Sequence, residues 1–422
     1  MNMKRFMWTA LGAFSALMVH SSNAEALAAS VKAFGMAGTG VAYAQDALAV
    51  AYNPAGMAWI GDRVDLGIHW AHDSGSTNIK GNLIPVLNGH YNGYKTKNFY
   101  SPEFGVNKTF GCECEWSVGL AVYNRQQSKT TYDKPFILVG NTNLGLEYVH
   151  ETISLPVTYR LNDSHSFGIA VNYMVQRIKF NGIQNFDNAL RSVAPGHVTN
   201  KGYAWSQGVG VFLGWQWKVT DSITFGLTYQ PETKMGKFHK YKGILAHKGS
   251  FNIPQVFSGG LSWRFIECAT VCFDVQYYDW KQIKALHNPL LHKGHLEQLG
   301  SKNGPGFGWK SQTFYRVGID YAVMDDLILR VGYRHGNTPV RANQTVLNQL
   351  TLDTVEDFVT CGATYMLNDC HELSAYFAWG FEKEIKGKNS IPPGPPPGGF
   401  GGGESNIKQQ KYALGLAWGW NY

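Results

Sequence analysis

Three arginines and one acid offer the first chemistry in this chain. Arg316 and Asp320 lie at even spacing in one stretch, 311–323, and Arg330 and Arg334 in the next, 326–335. Even spacing places such residues on one face of an extended chain. Guanidinium groups gathered this way do one of two things. They form an internal ladder of ion pairs with Asp320 that braces the surrounding structure or pins a segment held within it, or they hold the carboxylate of a ligand, for which their forked donors are suited. The ladder is the favoured reading. His287, His292 and His295 fall close together, but no carboxylate or cysteine completes a metal set around them. A solvated loop is expected there. No Ser/His/Asp order or pair of acid–base carboxylates stands out, so no catalytic residue, cofactor or metal is assigned.

A second cluster is built from small residues. Between Val31 and Ala58 the chain carries Gly35, Gly38 and Gly40, then Asp46, then the run Asn53-Pro54-Ala55-Gly56. Small side chains let such a segment pack tightly. Asp46 is placed to cap a short helix, and Asn53 must leave it because a residue before proline is pushed out of the helical region. The glycines do not form a phosphate-binding loop, since no strand–helix–strand unit surrounds them.

Elements of period 2 must position both clusters. From residue 62 onward, apolar residues alternate with small or polar ones. Fourteen strands are expected, near 62–72, 99–110, 115–124, 147–161, 165–180, 203–219, 222–231, 253–265, 268–280, 311–323, 326–335, 357–367, 371–383 and 408–422. The last is the clearest: Tyr412, Leu414, Leu416, Trp418, Trp420 and Tyr422 share one face. The connections alternate strictly between two to four residues and some twenty to thirty. Short turns on one side, long loops on the other and an even strand number are the pattern of a transmembrane barrel. Parity puts Leu329, Val331, Tyr333, Tyr315, Val317 and Ile319 toward lipid, and Arg316, Asp320, Arg330 and Arg334 into the lumen. Several inward positions are Gly or Ala, leaving room inside. The expected fold class is all-β, a fourteen-stranded antiparallel transmembrane β-barrel.

Composition agrees. Charged residues are 16 % of the 422, aromatics 14 %, and glycines number 48, against a usual ~25 % charged and ~7 % glycine. No apolar run after Val19 reaches the ~20 residues of a membrane helix. Lys4 and Arg5 precede the apolar run Phe6–Val19, and small residues follow at Ser22–Ala24. That is the layout of a secretory signal peptide, expected over 1–24. The net charge of +7 is mild and falls by two with its removal; the basic residues are scattered and no nucleic-acid partner is expected. The location implied is a bacterial outer membrane, with membrane lipid as a partner and the chain a monomer.

In that setting six cysteines are unusual. Cys112, Cys114, Cys268 and Cys370 lie in or beside short turns, Cys272 slightly deeper and Cys361 well inside a strand. An oxidising compartment permits disulfides, and spacing leaves intrachain pairs, idle thiols and links to neighbouring proteins all open. The Pro/Gly-rich stretch 391–403 reads as a disordered or polyproline loop tip. In the long loops 181–202 and 232–252, apolar residues such as Phe186, Leu190, Ile244 and Leu245 are candidates to meet a hydrophobic ligand. Phe186–Val193 reads as a short amphipathic helix.

The N-terminal string, ahead of fourteen alternating segments, closely resembles the FadL/TodX family of outer-membrane channels for long-chain fatty acids and other hydrophobic molecules. The resemblance rests on Gly35-x-x-Gly38-x-Gly40, Ala44-x-Asp46 and above all Asn53-Pro54-Ala55-Gly56. It implies that residues 25–61 form a hatch plugging the lumen of a barrel built from 62–422. It also implies passive uptake: a ligand is caught by the outer loops, binds above the hatch, and leaves laterally through a kink in the third strand after the hatch rearranges. Gly119 is a candidate for that kink, and a small lumen residue is its favoured reading. Phe186, Leu190, Arg316, Arg330 and Arg334 are the candidate ligand contacts. The C-terminal aromatic stripe implies recognition by the barrel-assembly machinery. Long-chain fatty acids are the expected cargo. Aromatic hydrocarbons are the rival within the family, and a non-transporting adhesin or cysteine-linked structural barrel is the rival outside it.

Overall fold

All fourteen alternating segments form strands. A computed structural model of the chain describes residues 29–422 except 96, 137–138 and 396–398; the expected signal peptide lies outside the described residues. The strands are β1 (Arg63–Lys80), β2 (Asn98–Phe110), β3 (Trp116–Thr131), β4 (Gly145–Arg160), β5 (His165–Asn181), β6 (Ala204–Lys218) and β7 (Ile223–Gln230), followed by β8 (Val256–Ile266), β9 (Ala269–Tyr278), β10 (Gln312–Met324), β11 (Leu327–Gly336), β12 (Asp357–Met366), β13 (His371–Ile385) and β14 (Glu404–Asn421). Each is antiparallel to the next, and β14 pairs with β1 from Arg63↔Asn421 to Lys80↔Glu404, closing the sheet. Closure matters in lipid, where an open edge would leave backbone groups with no water to bond. A short strand, Gly89–Asn92, folds back on β1 within the first long loop.

The faces fall as parity dictates. Leu329, Val331 and Tyr333 point outward and are exposed on the isolated barrel, while Arg330 and Arg334, of the opposite parity, are buried. A charge on the lipid face would cost about 2–4 kcal/mol at the midplane, so the alternation is enforced rather than merely preferred. The six short turns carry their own chemistry: in two of them Asn162 and Asn368 use their side-chain oxygens to accept backbone N–H groups two and three residues on.

One strand departs from the pattern. β3 runs to Thr131, beyond the residue 124 that alternation marks, and beyond Val122 it has no partner in β2. Its register with β4 shifts between Asn124 and Gln126. From Tyr123 to Thr130 nearly every side chain is buried, so both faces of this half-strand are covered. Such an irregularity bends a strand and re-aims its side chains.

Two bodies of chain fill the barrel. The long loops converge on a shared apolar core that includes Phe136, Phe180, Tyr241, Leu286, Trp309 and Leu350. Deeper in the lumen lies the N-terminal segment 29–61, with helix α1 (Val31–Gly35) and two 3₁₀ turns, Ala49–Ala51 and Pro54–Trp59.

Candidate functional site

The N-terminal segment is seated on glycines. A Cβ at Gly318 would come within 2.6 Å of Met36, at Gly105 within 2.8 Å of Ala47, and at Gly362 within 2.9 Å of the Gly35 Cα. These strand glycines face inward, and only the missing side chain lets the segment approach. Polar groups from most of the strands then tie it in place. Glu103 of β2 accepts from Ser30 N (2.6 Å) and Val31 N (3.2 Å), and Asp65 of β1 from Ala47 N (2.8 Å). Asp274 of β9 accepts from Gly40 N (2.8 Å) and Val41 N (3.0 Å), and Asp320 of β10 from the Tyr43 hydroxyl (2.6 Å). Thr158 and Ser166 donate to the carbonyls of Pro54 (2.7 Å) and Ala55 (3.0 Å). Lys32 pairs with Glu372 of β13, which also binds Arg63. Buried carboxylates are costly without partners, and here the segment's backbone N–H groups supply several of them.

The string residues divide the work. Gly35 ends α1 against Gly362, and its carbonyl accepts from Thr360 (3.1 Å). Gly38 takes φ +81°, a left-handed conformation that favours glycine. A Cβ at Gly40 would fall 2.8 Å from the Tyr52 ring, and one at Gly56 2.8 Å from Ala44. Asp46 accepts from Ser30 Oγ (2.6 Å) and Leu48 N (3.0 Å) just ahead of the first 3₁₀ turn. Burial, then the nearby Asp65 carboxylate, pushes its pKa up to about 7. Asn53 is extended (φ −154°, ψ 111°), as the following proline requires. It also starts the second 3₁₀ turn, accepting from Ala55 N (3.0 Å) while its amide donates to Val41 O (2.7 Å) and Trp215 O (3.1 Å).

Above the segment lies an inner cavity of about 80 Å³. Phe34, Tyr52, Trp280, Phe314 and Phe358 give it apolar walls, and Arg125, Arg316, Arg334 and Lys411 bring four cations, with Asp73 as an acid. Here the ion-pair ladder is corrected, while Arg330 and Asp320 do pin the segment. Arg316 donates to Gln276 (2.9 Å), and Asp320 binds Tyr43. Arg330 does not line this cavity: it donates to Gln45 of the segment (2.9 Å) and to Thr364 (2.6 Å). Among the described residues no ion pair joins Asp320 to Arg316 or Arg330. The reason is the segment itself, which inserts hydrogen-bonding groups between side chains that face each other across the sheet. Arg334 lies over the Phe358 ring (4.1 Å) and the Phe314 ring (5.2 Å).

Arg125 is the residue that sequence reasoning missed. It sits at the shift in β3, is 6 % exposed, lies beside the Tyr123 hydroxyl and 5.7 Å from the Phe212 ring, and neither terminal nitrogen makes a hydrogen bond of normal geometry. The Asn-Arg-Gln-Gln run interrupting an apolar strand at 124–127 was the available signal. Gly119, the candidate for the kink, lies instead against Met57 and Pro156, and the irregularity falls six residues later.

An outer cavity of about 130 Å³ lies among the loops. Phe186 and Leu190 line it, with Phe136, Phe180, Leu299 and Phe307. Its one arginine, Arg191, lies 5.9 Å from the rings of both Phe186 and Phe400. The five candidate ligand contacts thus separate: two line the outer cavity, Arg316 and Arg334 the inner, and Arg330 neither. Two loop expectations are corrected. Residues 186–193 form no helix, because Asn188 accepts from Leu190 N and Arg191 N (3.0 and 3.2 Å) in a side-chain-closed turn. The described part of 391–403 is folded, with Gly401 N bonded to Gly394 O (2.9 Å) and Asn82 donating to Phe400 O and Gly402 O (2.7 Å each). Glycines at positive φ (394 and 401–403) permit that reversal. His287 donates from Nδ1 to Trp309 O (2.8 Å), and His292 and His295 pair through their backbones. All six cysteines are free thiols; Cys112, Cys114, Cys361 and Cys370 are exposed.

The family model described as outer membrane protein transport protein (OMPP1/FadL/TodX) matches residues 14–391. An outer membrane protein of Neisseria meningitidis serogroup B is 31 % identical over 423 residues, covering 86 % of this chain and 87 % of that one. Among solved structures, the toluene transporter TodX of Pseudomonas putida superposes with a TM-score of 0.69 at 14 % identity, covering 94 % of this chain and 99 % of that one. A FadL homologue of Pseudomonas aeruginosa gives 0.68 at 17 % identity, covering 96 % and 99 %.

Proposed function

The chain belongs to the OMPP1/FadL/TodX family of outer-membrane transport proteins, and on that premise we propose that it takes up amphipathic hydrophobic acids, long-chain fatty acids foremost. The outer cavity accepts the apolar chain and the inner cavity receives the carboxylate. The single observation that carries this reading is Arg125: a buried guanidinium that, among the described residues, pairs with no carboxylate, lining a cavity with three further cations. An unpaired buried charge is costly, and an anionic headgroup would relieve that cost.

Residues 29–61 act as the hatch in this scheme. Gly38 lies against Arg316, with the site of a Cβ 3.5 Å from the guanidinium nitrogen, so a ligand pulling on Arg316 would press on the hatch. The outer half of β3, paired with β4 but parted from β2, is the lateral exit, because an apolar molecule passing between β2 and β3 there disrupts no β2–β3 hydrogen bonds. The C-terminal stripe ending in Trp418, Trp420 and Tyr422 is what the barrel-assembly machinery would read.

The test is uptake by a strain lacking its own fatty-acid channel. Expression of this chain restores long-chain fatty-acid uptake under the proposal. A chain that restores neither fatty acids nor aromatic hydrocarbons is a structural barrel. A second reading, aromatic-hydrocarbon uptake, is favoured by the ring-rich lining of the outer cavity and by the named substrate of TodX. Restoration of toluene uptake alone would select it.

A further inference from the structure

The short turns and two of the long loops carry charge of opposite sign. The six short turns, 111–115, 161–164, 219–222, 267–268, 325–326 and 367–370, hold eight carboxylates and no lysine or arginine. Of the long loops on the other side, residues 232–252 carry five lysines against Glu232, and residues 281–310 carry five against Glu297. Their basic residues are scattered along the chain, but the fold joins the two loops. His247 N bonds to Ser301 O (3.3 Å) and Lys248 N to Gly300 O (2.9 Å). His247 and Lys248 are held at φ 53° and 57°, in the left-handed region. Burial, then Lys302, Lys237 and Lys284, lowers the His247 pKa from its ordinary value, so lysines from both loops gather around one imidazole.

These lysines differ from those on the strands. Lys129 and Lys179 reach Glu147 (3.7 and 3.3 Å), Lys383 reaches Glu356 (2.6 Å) and Lys408 reaches Glu382 (3.1 Å). Lys237, Lys248, Lys284 and Lys302 are exposed, and among the described residues none forms an ion pair. Concentrated, uncompensated charge of one sign raises the local concentration of its counter-ions and speeds their capture.

We infer that Lys237, Lys248, Lys284 and Lys302 form a docking surface for an acidic polysaccharide in the medium, engaged through its sulfates or carboxylates. The chemistry of the patch selects that class. All five aromatics of the two loops (Phe238, Tyr241, Phe251, Phe307 and Trp309) are buried, so no ring is offered for stacking on a base. The loops contain no arginine, the residue suited to bidentate phosphate and nucleic-acid contacts. Leu245 and Leu299, beside these lysines in sequence, line the outer cavity from above. The lysines are therefore exposed on the same loop segments that line this cavity.

The experiment uses the full-length barrel in uncharged detergent micelles, with fluorescein-labelled heparin as the probe and neutral dextran as the control. Heparin is expected to bind, and to weaken at least about tenfold between 50 and 200 mM salt, as counter-ion release requires. The triple variant Lys237→Gln, Lys284→Gln, Lys302→Gln should lose at least about tenfold in affinity, while Lys386→Gln, Lys388→Gln on another outer loop retains it. Heat-modifiable gel migration of each variant reports that the barrel is folded. No heparin binding at 50 mM salt, or equal binding by the folded triple variant, overturns the proposal. So does stronger binding of single-stranded DNA at equal charge, which would assign the surface to nucleic acid. Displacement of heparin by lipopolysaccharide at equal charge would assign it to the membrane's own leaflet.

Discussion

The two cavities are stacked in one lumen and built on opposite principles. The outer one is walled by loop side chains whose apolar surfaces meet only in the tertiary fold, with Arg191 beside two phenylalanine rings. The inner one is walled by strands whose register fixes each side chain, with four cations directed into it. Loops suit a surface that must accept many apolar shapes, because burial has no directional requirement. A headgroup site needs donors at set positions, which a hydrogen-bonded sheet provides. The division predicts that mutations in the outer cavity affect every ligand alike, and that mutations in the inner cavity discriminate by charge.

The largest effect should come from Arg125. Arg125→Met keeps volume and removes the charge-assisted hydrogen bonds, each worth about 1.5–3 kcal/mol. Fatty-acid binding to the purified protein should fall roughly 10- to 100-fold, with the methyl ester little changed. Equal losses for acid and ester would erase the distinction between the cavities. Arg316→Ala should show the same selectivity more weakly, because Gln276 already occupies one of its donors.

Next in size are Asn53→Ala and Pro54→Ala. The first removes a cap and two amide donations, together about 1.5–5 kcal/mol, from a segment whose docking the barrel's own hydrogen bonds do not require. Uptake should change on the order of tenfold in either direction while heat-modifiable migration stays normal. Unaltered uptake by both variants would remove the segment from the transport route.

Smaller again is Phe186→Ala. The ring is only partly buried, so about half the ~1.5–3 kcal/mol of a full side chain is lost, roughly fivefold for acid and ester together. Leu190 is 68 % exposed, and Leu190→Ala should fall within twofold. A charge-selective result at Phe186 would break the comparison from the other side.

The smallest prediction concerns pH. Asp46 titrates near 7 in the docked segment and near 4 when released. The docked state therefore holds a proton that the released state gives up. Docking is firmest below about pH 4, weakens as pH rises, and levels off above about 7. Asp65 and Glu103 oppose ionisation of Asp46, and Lys32 and Arg63 favour it. Protection factors across 29–61, with the intrinsic pH dependence of amide exchange divided out, should be larger at pH 5 than at pH 8, and Asp46→Asn should flatten that difference.

Much of this architecture is legible in one dimension. Strand number, lipid face and the side on which the long loops lie follow from period-2 alternation, since lipid tolerates no exposed charge and no open edge. Asn53 leaving the helix follows from Pro54 alone. Other features depend on residues far apart in sequence. Arg316, Arg330 and Asp320 face one another across two strands, yet the N-terminal segment comes between them and turns a ladder into separate hydrogen bonds with Gln45, Tyr43 and Gln276. Arg125 is unremarkable until β3 parts from β2. The lysines of two loops become one surface only where Lys248 N meets Gly300 O. Alternation is a local consequence of the pleat, so the sequence by itself determined the wall. What fills the wall is decided by contacts between residues up to hundreds of positions apart, as Lys32 with Glu372 shows, and only the tertiary structure could assign those.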